Sequence, residues 1–196
     1  MQSRRIGVLA LQGDVSEHVK ATREALKRLK LAGEVVEVRD EETIKNIDGL
    51  IIPGGESTVL HTLTERASIF ENIKKIKNIF GTCAGTIFLA KDILHSAPNQ
   101  KTLGLMHIVV DRNAYGAQTD SFETKLKTNL GSIDAIFIRA PRIHKIGSTV
   151  NIIAKNNTDI VAVEERAENH FYLATTFHPE LTTTLFHEYF LNHIFK

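Results

Sequence analysis

A lone cysteine bracketed by glycines, Gly81-Thr82-Cys83-Ala84-Gly85, and a later His178-Pro179-Glu180 segment are the residues best suited to chemistry in this sequence. The chemistry they allow is nucleophilic acyl transfer. A thiolate attacks a carbonyl, an imidazole takes and returns the proton, and a carboxylate holds the imidazole in the useful tautomer. Ile79-Phe80 reads as a short strand before the cysteine and Thr86 through Asp92 as a helix after it, so the segment has the layout of a nucleophile elbow with sulfur in place of oxygen. Flanking glycines relieve the crowding of so sharp a turn, and a helix N-terminus favours a thiolate. In extended backbone, residues two apart point the same way, which would turn Glu180 to the His178 ring, with Pro179 stiffening the pair.

A third motif, Ile52-Pro53-Gly54-Gly55-Glu56-Ser57, ends an apolar run with glycines whose N–H groups can approach an oxyanion. Gly54, Gly55 and the Ala84 N–H are the candidate oxyanion hole. Each motif alone has a plainer reading. A lone cysteine is more often a small buried hydrophobe, His178 could simply fill the core beside a helix start, and a Pro-Gly-Gly turn is usually a connection. Together they supply nucleophile, base, orienter and oxyanion donors at the strand ends of one small domain, and that conjunction favours chemistry.

The elements that must position these residues follow from hydrophobic periodicity. Ile6 to Leu11 is a continuous apolar run, as in a strand covered on both faces, and Gln12-Gly13 breaks it. Asp14 with Glu17 has the capping-box pattern, Val19, Ala25, Leu26 and Leu29 give an apolar helical face, and Gly33 stands where a C-terminal cap belongs. Residues 34–38 and 49–52 read as strands and 69–76 as a helix. Beyond Leu103 the texture is β-rich, with strands expected over 105–110, 122–127, 135–138, 150–154, 160–163 and 171–177, then a closing helix over 183–195. The pattern predicts one three-layer α/β domain over residues 1–196, its sheet gaining antiparallel strands in the second half. Ligands in such sheets bind beyond the carboxyl ends of the strands, where all three motifs fall.

Composition narrows the alternatives. Basic and acidic residues balance at 24 against 23 without a basic stripe, which disfavours nucleic acid and anionic membrane as partners. No apolar run approaches the ~20 residues of a bilayer span. Met1 to Gly13 is basic then apolar like a signal peptide, but it lacks a small-residue cleavage site and reads as the first core strand. One cysteine suits a reducing compartment, so the expected location is cytoplasmic. Nine histidines without metal-ligand spacing make a zinc site improbable, and no metal is expected.

The cysteine elbow, the Pro-Gly-Gly turn and the His-x-Glu pair, in this order, resemble class I glutamine amidotransferases. Leu9-Ala10-Leu11-Gln12-Gly13, Pro53-Gly54-Gly55-Glu56-Ser57-Thr58, Phe80 to Gly85, Arg112-Asn113-Ala114-Tyr115-Gly116 and Phe177 to Leu181 narrow the resemblance to the glutaminase subunits of pyridoxal 5'-phosphate synthase, almost end to end. The resemblance implies a flavodoxin-like, mixed and mostly parallel sheet. It implies that Cys83 attacks the side-chain amide of L-glutamine to form a glutamyl thioester, with His178 shuttling protons and Glu180 orienting it. Gly55, Glu56, Ser57, Arg112, Ile138 and Arg139 are then expected to contact glutamine. Without the family, Arg112 and Arg139 are simply charges at strand ends, although an arginine fork suits a carboxylate.

By the same resemblance the chain carries no cofactor and passes ammonia to a barrel-shaped synthase subunit, one glutaminase per subunit of a dodecameric synthase. The Gly54-Gly55 peptide is a candidate control point, since flexible residues can turn an N–H away from the oxyanion until a partner binds. His107 and Asp14 depart from the family pattern, the latter near the expected partner surface. Competing readings are an amidotransferase subunit serving another synthase, a cysteine hydrolase of related fold, and a catalytically dead binding subunit.

Overall fold

The computed structural model describes residues 3–112 and 121–196. Its main run of parallel strands is β1 (Arg4–Leu9), β2 (Gly33–Val38), β3 (Gly49–Ile52), β4 (Asn78–Thr82) and β12 (His170–Thr175), in the spatial order β2-β1-β3-β4-β12. Beyond β12 the sheet turns antiparallel through β11 (Asp159–Ala167), β10 (Val150–Asn156), β7 (Phe122–Thr128) and β8 (Gly131–Phe137). A branch from β11 adds β9 (Arg142–Ile146), β6 (Met106–Asp111) and β5 (Ala90–Leu94).

Strand periodicity sorts the core into two layers. Leu50 and Ile52 face one way and Ile51 the other, and Ile79 and Phe80 divide likewise, all without measurable exposure. One face is covered by α3 (Ser57–Arg66), α4 (Phe70–Ile73) and α5 (Ala84–Leu89) through Leu60, Phe70, Ile73 and Phe88. The other is covered by α1 (Val15–Leu29) and α6 (Leu185–Ile194), which pack on each other and insert Val19, Leu26, Phe186, Phe190 and Leu191. A short helix, α2 (Glu41–Ile44), follows β2 and is capped by the Asp40 carboxylate, which accepts from the Thr43 N–H. No helix among the described residues is long and apolar enough to cross a membrane.

Several local expectations are corrected. The capping box at Asp14 does not form: the Asp14 side chain makes no cap hydrogen bond, and its carboxylate turns to His178 instead. Helix α1 ends on Lys30 in the left-handed region, with the Leu31 N–H donating to the Leu26 carbonyl, while Gly33 opens β2. Close packing on Leu26 and Phe195 explains that glycine, since a Cβ there would stand 2.9 Å from each. The apolar spacing over 69–76 marks burial more than helix, and only Phe70–Ile73 winds. The expected helix over 86–92 stops at Leu89 because Ala90 turns extended and residues 90–94 pair with β6. Strand β9 carries too few apolar residues to have signalled itself.

Candidate active site

Cys83 sits between β4 and α5 with φ 47° and ψ −104°, a conformation that L-residues rarely adopt. Its surroundings enforce the strain. A Cβ at Gly81 would lie 2.7 Å from the Gly85 backbone, and one at Gly85 would lie 2.2 Å from the Ile52 carbonyl oxygen, so the elbow closes only with glycine at both positions. The Cys83 N–H donates to the Thr175 carbonyl at 2.8 Å, and the Thr86 hydroxyl donates to the same oxygen at 2.6 Å, stapling the elbow to β12. The thiol is nearly buried, its Sγ 3.8 Å from the Ile138 carbonyl oxygen.

The base arrives from the end of β12. The His178 N–H is anchored to the Ile136 carbonyl, and Pro179–Leu181 then form a 3-10 turn. That turn, not the extended backbone expected from the spacing, brings Glu180 back so that Nδ1 of His178 donates to Oε1 at 2.7 Å. A second carboxylate shares the same nitrogen, Asp14 Oδ2 at 3.2 Å. Gly54 makes room for this arrangement, since a Cβ there would lie 2.5 Å from His178 Cε1 and 3.1 Å from Asp14 Oδ2.

Burial by itself would strip the His178 proton, but the carboxylates of Asp14 and Glu180 bonded to Nδ1, together with the nearby Cys83, outweigh it and push the imidazole pKa up to about 12. Cys83 thus acts electrostatically on the ring, yet Nε2 forms no hydrogen bond of good geometry, so the two groups are neighbours without a formed bond. Burial raises the Glu180 carboxyl, with His178 opposing, whereas the hydrogen bond to His178 lowers Asp14 despite its own partial burial. The donor atoms of Asp14, His178 and Glu180 lie within 4.8 Å of one another and could in principle hold a cation. A shared Nδ1 proton already satisfies that geometry.

Behind Glu180 lies a wholly buried histidine pair. His18 Nε2 is 3.0 Å from the Thr82 hydroxyl and 3.4 Å from Glu180 Oε2, and His18 Nδ1 is 3.0 Å from His187 Nε2. Burial lowers both rings, His18 well below its ordinary range and His187 to about 3, so both are neutral.

The expected glutamine contacts gather at one edge. The Glu56 side chain accepts from the Thr58 N–H at the start of α3, and Arg112 approaches it to 3.6 Å. Burial would raise Glu56, but the Thr58 hydrogen bonds with the charges of Arg112 and Arg139 hold it below the usual carboxylate range. Ser57 is buried and accepts from Gln100 Nε2. Ile138 and Arg139 are exposed beyond β8, with Arg139 at φ 43°. Gly55 adopts φ +134°, and a Cβ there would meet Gln12 Oε1, the atom that accepts from the Glu56 N–H. The remainder of the Arg112 motif, Asn113 to Gly116, lies outside the described residues.

Sequence reasoning missed Asp14 as a His178 partner, His18, His187, Thr86 and Gln12. Asp14 and His18 are one helical turn apart, a spacing that puts both on the face of α1 turned to the strand ends, but only the strand order tells what stands opposite.

This geometry has close relatives. The chain is 45% identical to a pyridoxal 5'-phosphate synthase subunit PdxT of Pyrococcus horikoshii, covering 97% of this chain and 99% of that one. It is 46% identical to the protein of the same name from Oenococcus oeni, over 95% of each. Among solved structures, a glutamine amidotransferase superposes with a TM-score of 0.82 at 41% identity, over 97% of this chain and 99% of that one. A putative GMP synthase protein from Thermoplasma acidophilum shares the fold at a TM-score of 0.65 and 18% identity, over 99% and 93%. Residues 8–196 match the family model as well, and the chain therefore belongs to the SNO glutamine amidotransferase family.

Proposed function

We propose that this chain is the glutaminase subunit of a pyridoxal 5'-phosphate synthase, hydrolysing L-glutamine to L-glutamate and ammonia. The observation that carries the reading is Cys83 held in a strained glycine elbow beside His178, whose Nδ1 donates to Glu180. Cys83 attacks the glutamine side-chain amide, and His178 delivers a proton to the leaving ammonia. A glutamyl thioester remains, and water activated by His178 cleaves it. Glu180 fixes the ring's tautomer and balances its charge. The N–H groups of Ala84 and of the Gly54-Gly55 turn receive the oxyanion. Glu56 and Ser57 would hold the glutamine amino-acid end, with Arg112 and the Ile138-Arg139 segment taking its carboxylate.

The whole chain, residues 1–196, acts as one glutaminase domain with no cofactor of its own and works in the reducing cytoplasm that suits a free thiol. Its ammonia passes to a barrel-shaped synthase subunit, one glutaminase per subunit of a dodecamer, and the names of the relatives support that partner. The Gly54-Gly55 peptide is the proposed control point. The Gly54 carbonyl oxygen is seated on Gly13, which has φ +88° and no room for a Cβ, so turning the peptide requires that contact to open. Losing one oxyanion donor costs ~10²–10³ in rate, enough to keep the free chain nearly silent.

The test is glutamate release from glutamine by the purified chain, with and without the synthase subunit, alongside Cys83→Ala. Turnover requiring both Cys83 and the synthase supports the proposal. Turnover indifferent to the synthase removes the partner and the control point, and no turnover in either condition, with a synthase that accepts added ammonia, overturns the glutaminase reading.

A further inference from the structure

The buried histidines behind Glu180 are not needed for the acyl-transfer steps above, yet both rings are held without measurable exposure, His18 against the triad's carboxylate. Glu180 has one oxygen committed to His178, while its other oxygen, Oε2, accepts no hydrogen bond of good geometry. A carboxylate without measurable side-chain exposure is costly in that condition, and the ring nitrogen in reach of Oε2 is His18 Nε2.

Which way this nitrogen is protonated follows from counting orphans. If His18 carried its proton on Nδ1, it would donate to His187 Nε2. His187 would then keep a proton on Nδ1, a buried N–H with no partner. The His18 Nε2 lone pair would also face the Glu180 carboxylate. With the proton on Nε2, His18 donates to Thr82 Oγ1 with Glu180 Oε2 3.4 Å away, and His187 Nε2–H donates to His18 Nδ1, so that neither ring leaves a buried N–H without a partner. Buried acceptors without partners are tolerated better than buried donors.

We infer that His18 is a positioning residue for the triad, holding Nε2–H beside the second oxygen of Glu180 from its bond to Thr82 and itself locked in that tautomer by His187. The inference rests on the glutaminase reading and deepens it. Asp14 and His18, one turn apart at the start of α1, grip the His178–Glu180 pair from its two sides, Asp14 on the open side and His18 on the buried side. The groups facing Glu180 are His178 from the end of β12, Asp14 and His18 from α1, and, through their partners, His187 on α6 and Cys83 at the elbow. Asp14 and the Cys83 thiolate add like charge and His18 adds a donor, so removing that donor leaves Glu180 easier to protonate.

The experiment uses the full chain together with the synthase and compares His18→Leu with His18→Gln, whose amide N–H can still reach Oε2. His18→Leu is expected to lower kcat/KM roughly tenfold or more, the scale of a hydrogen bond to a charged group, and to move the acid limb of the pH profile upward. His18→Gln is expected to restore most of both. In the parent protein, nitrogen-15 NMR of labelled histidine is expected to show a neutral His18 ring protonated on Nε2, a readout that does not depend on any variant folding. A ring protonated on Nδ1, or a His18→Leu protein with the parent's rate and acid limb, overturns the inference while leaving the glutaminase reading intact. Absence of Cys83-dependent turnover in the parent itself overturns the glutaminase reading instead.

Discussion

Asp14 Oδ2 stands 3.2 Å from His178 Nδ1, sharing a proton that Glu180 already accepts at 2.7 Å. Two carboxylates on one imidazole nitrogen favour the protonated ring, and the outer one is partly solvated, so its effect is screened. Asp14→Asn is expected to reduce kcat/KM by roughly threefold to tenfold and to shift the basic limb of the pH–rate profile downward, because the ring gives up its proton more readily. The melting temperature should change little, since Asp14 caps nothing. A profile superimposable on the parent's would show that Asp14 is a bystander.

Gly54 is the floor under the His178 ring. A methyl group there would stand 2.5 Å from Cε1, inside any permitted contact, and the atom that must give way belongs to the ring and not to the backbone. Gly54→Ala is therefore expected to fold, to bind glutamine, and to lose roughly 10²-fold in kcat, the cost of misplacing a reacting group by about an ångström. Steady-state kinetics with the synthase present, together with a thermal melt, separates this outcome from simple unfolding.

Cys83 trades stability for reactivity. At φ 47° a side chain is strained by ~1–3 kcal/mol, and glycine alone escapes that cost. Cys83→Gly and Cys83→Ala should both reduce glutamate release by at least ~10⁴-fold. Denaturant titration should find the glycine variant more stable than the alanine variant by about 1 kcal/mol, despite glycine's larger loss of chain entropy. Equal stability would mean that the elbow is relaxed in solution.

The buried histidines make the fold sensitive to acid. His187 has its pKa lowered from 6.5 to about 3 by burial, so between these values the unfolded chain binds a proton that the folded chain refuses. Its contribution is present in full above pH 6.5 and is lost as pH falls toward 3, at about 1.4 kcal/mol per pH unit, with His18 acting in the same direction. Urea unfolding at stepped pH should show this slope in the parent and a shallower one in His187→Leu. An unchanged slope in the variant would place the acid sensitivity elsewhere.

Much of the site was legible because its key parts are local in sequence. A glycine elbow, a Pro-Gly-Gly turn and a His-x-Glu segment each announce a backbone geometry within a few residues, and the apolar runs ahead of them announce buried parallel strands. The same locality explains the errors. Residues 69–76 have helical spacing because one side is buried, not because they wind throughout. Residues 90–94 leave the helix because β6 offers pairing, which no local preference reveals.

The sequence by itself determined the α/β alternation and a cysteine, histidine and glutamate of the right types at strand ends. Only the tertiary structure decided what surrounds them. Asp14 reads as a helix cap until the strand order places it beside His178, and His18 and His187 read as residues on two unrelated helices until α1 and α6 close over the sheet and bury them against Glu180. Hydrogen bonds between residues so distant in the chain depend on how strands are ordered and faces are covered. That order is set by the summed burial of many side chains, and no short stretch of sequence encodes it.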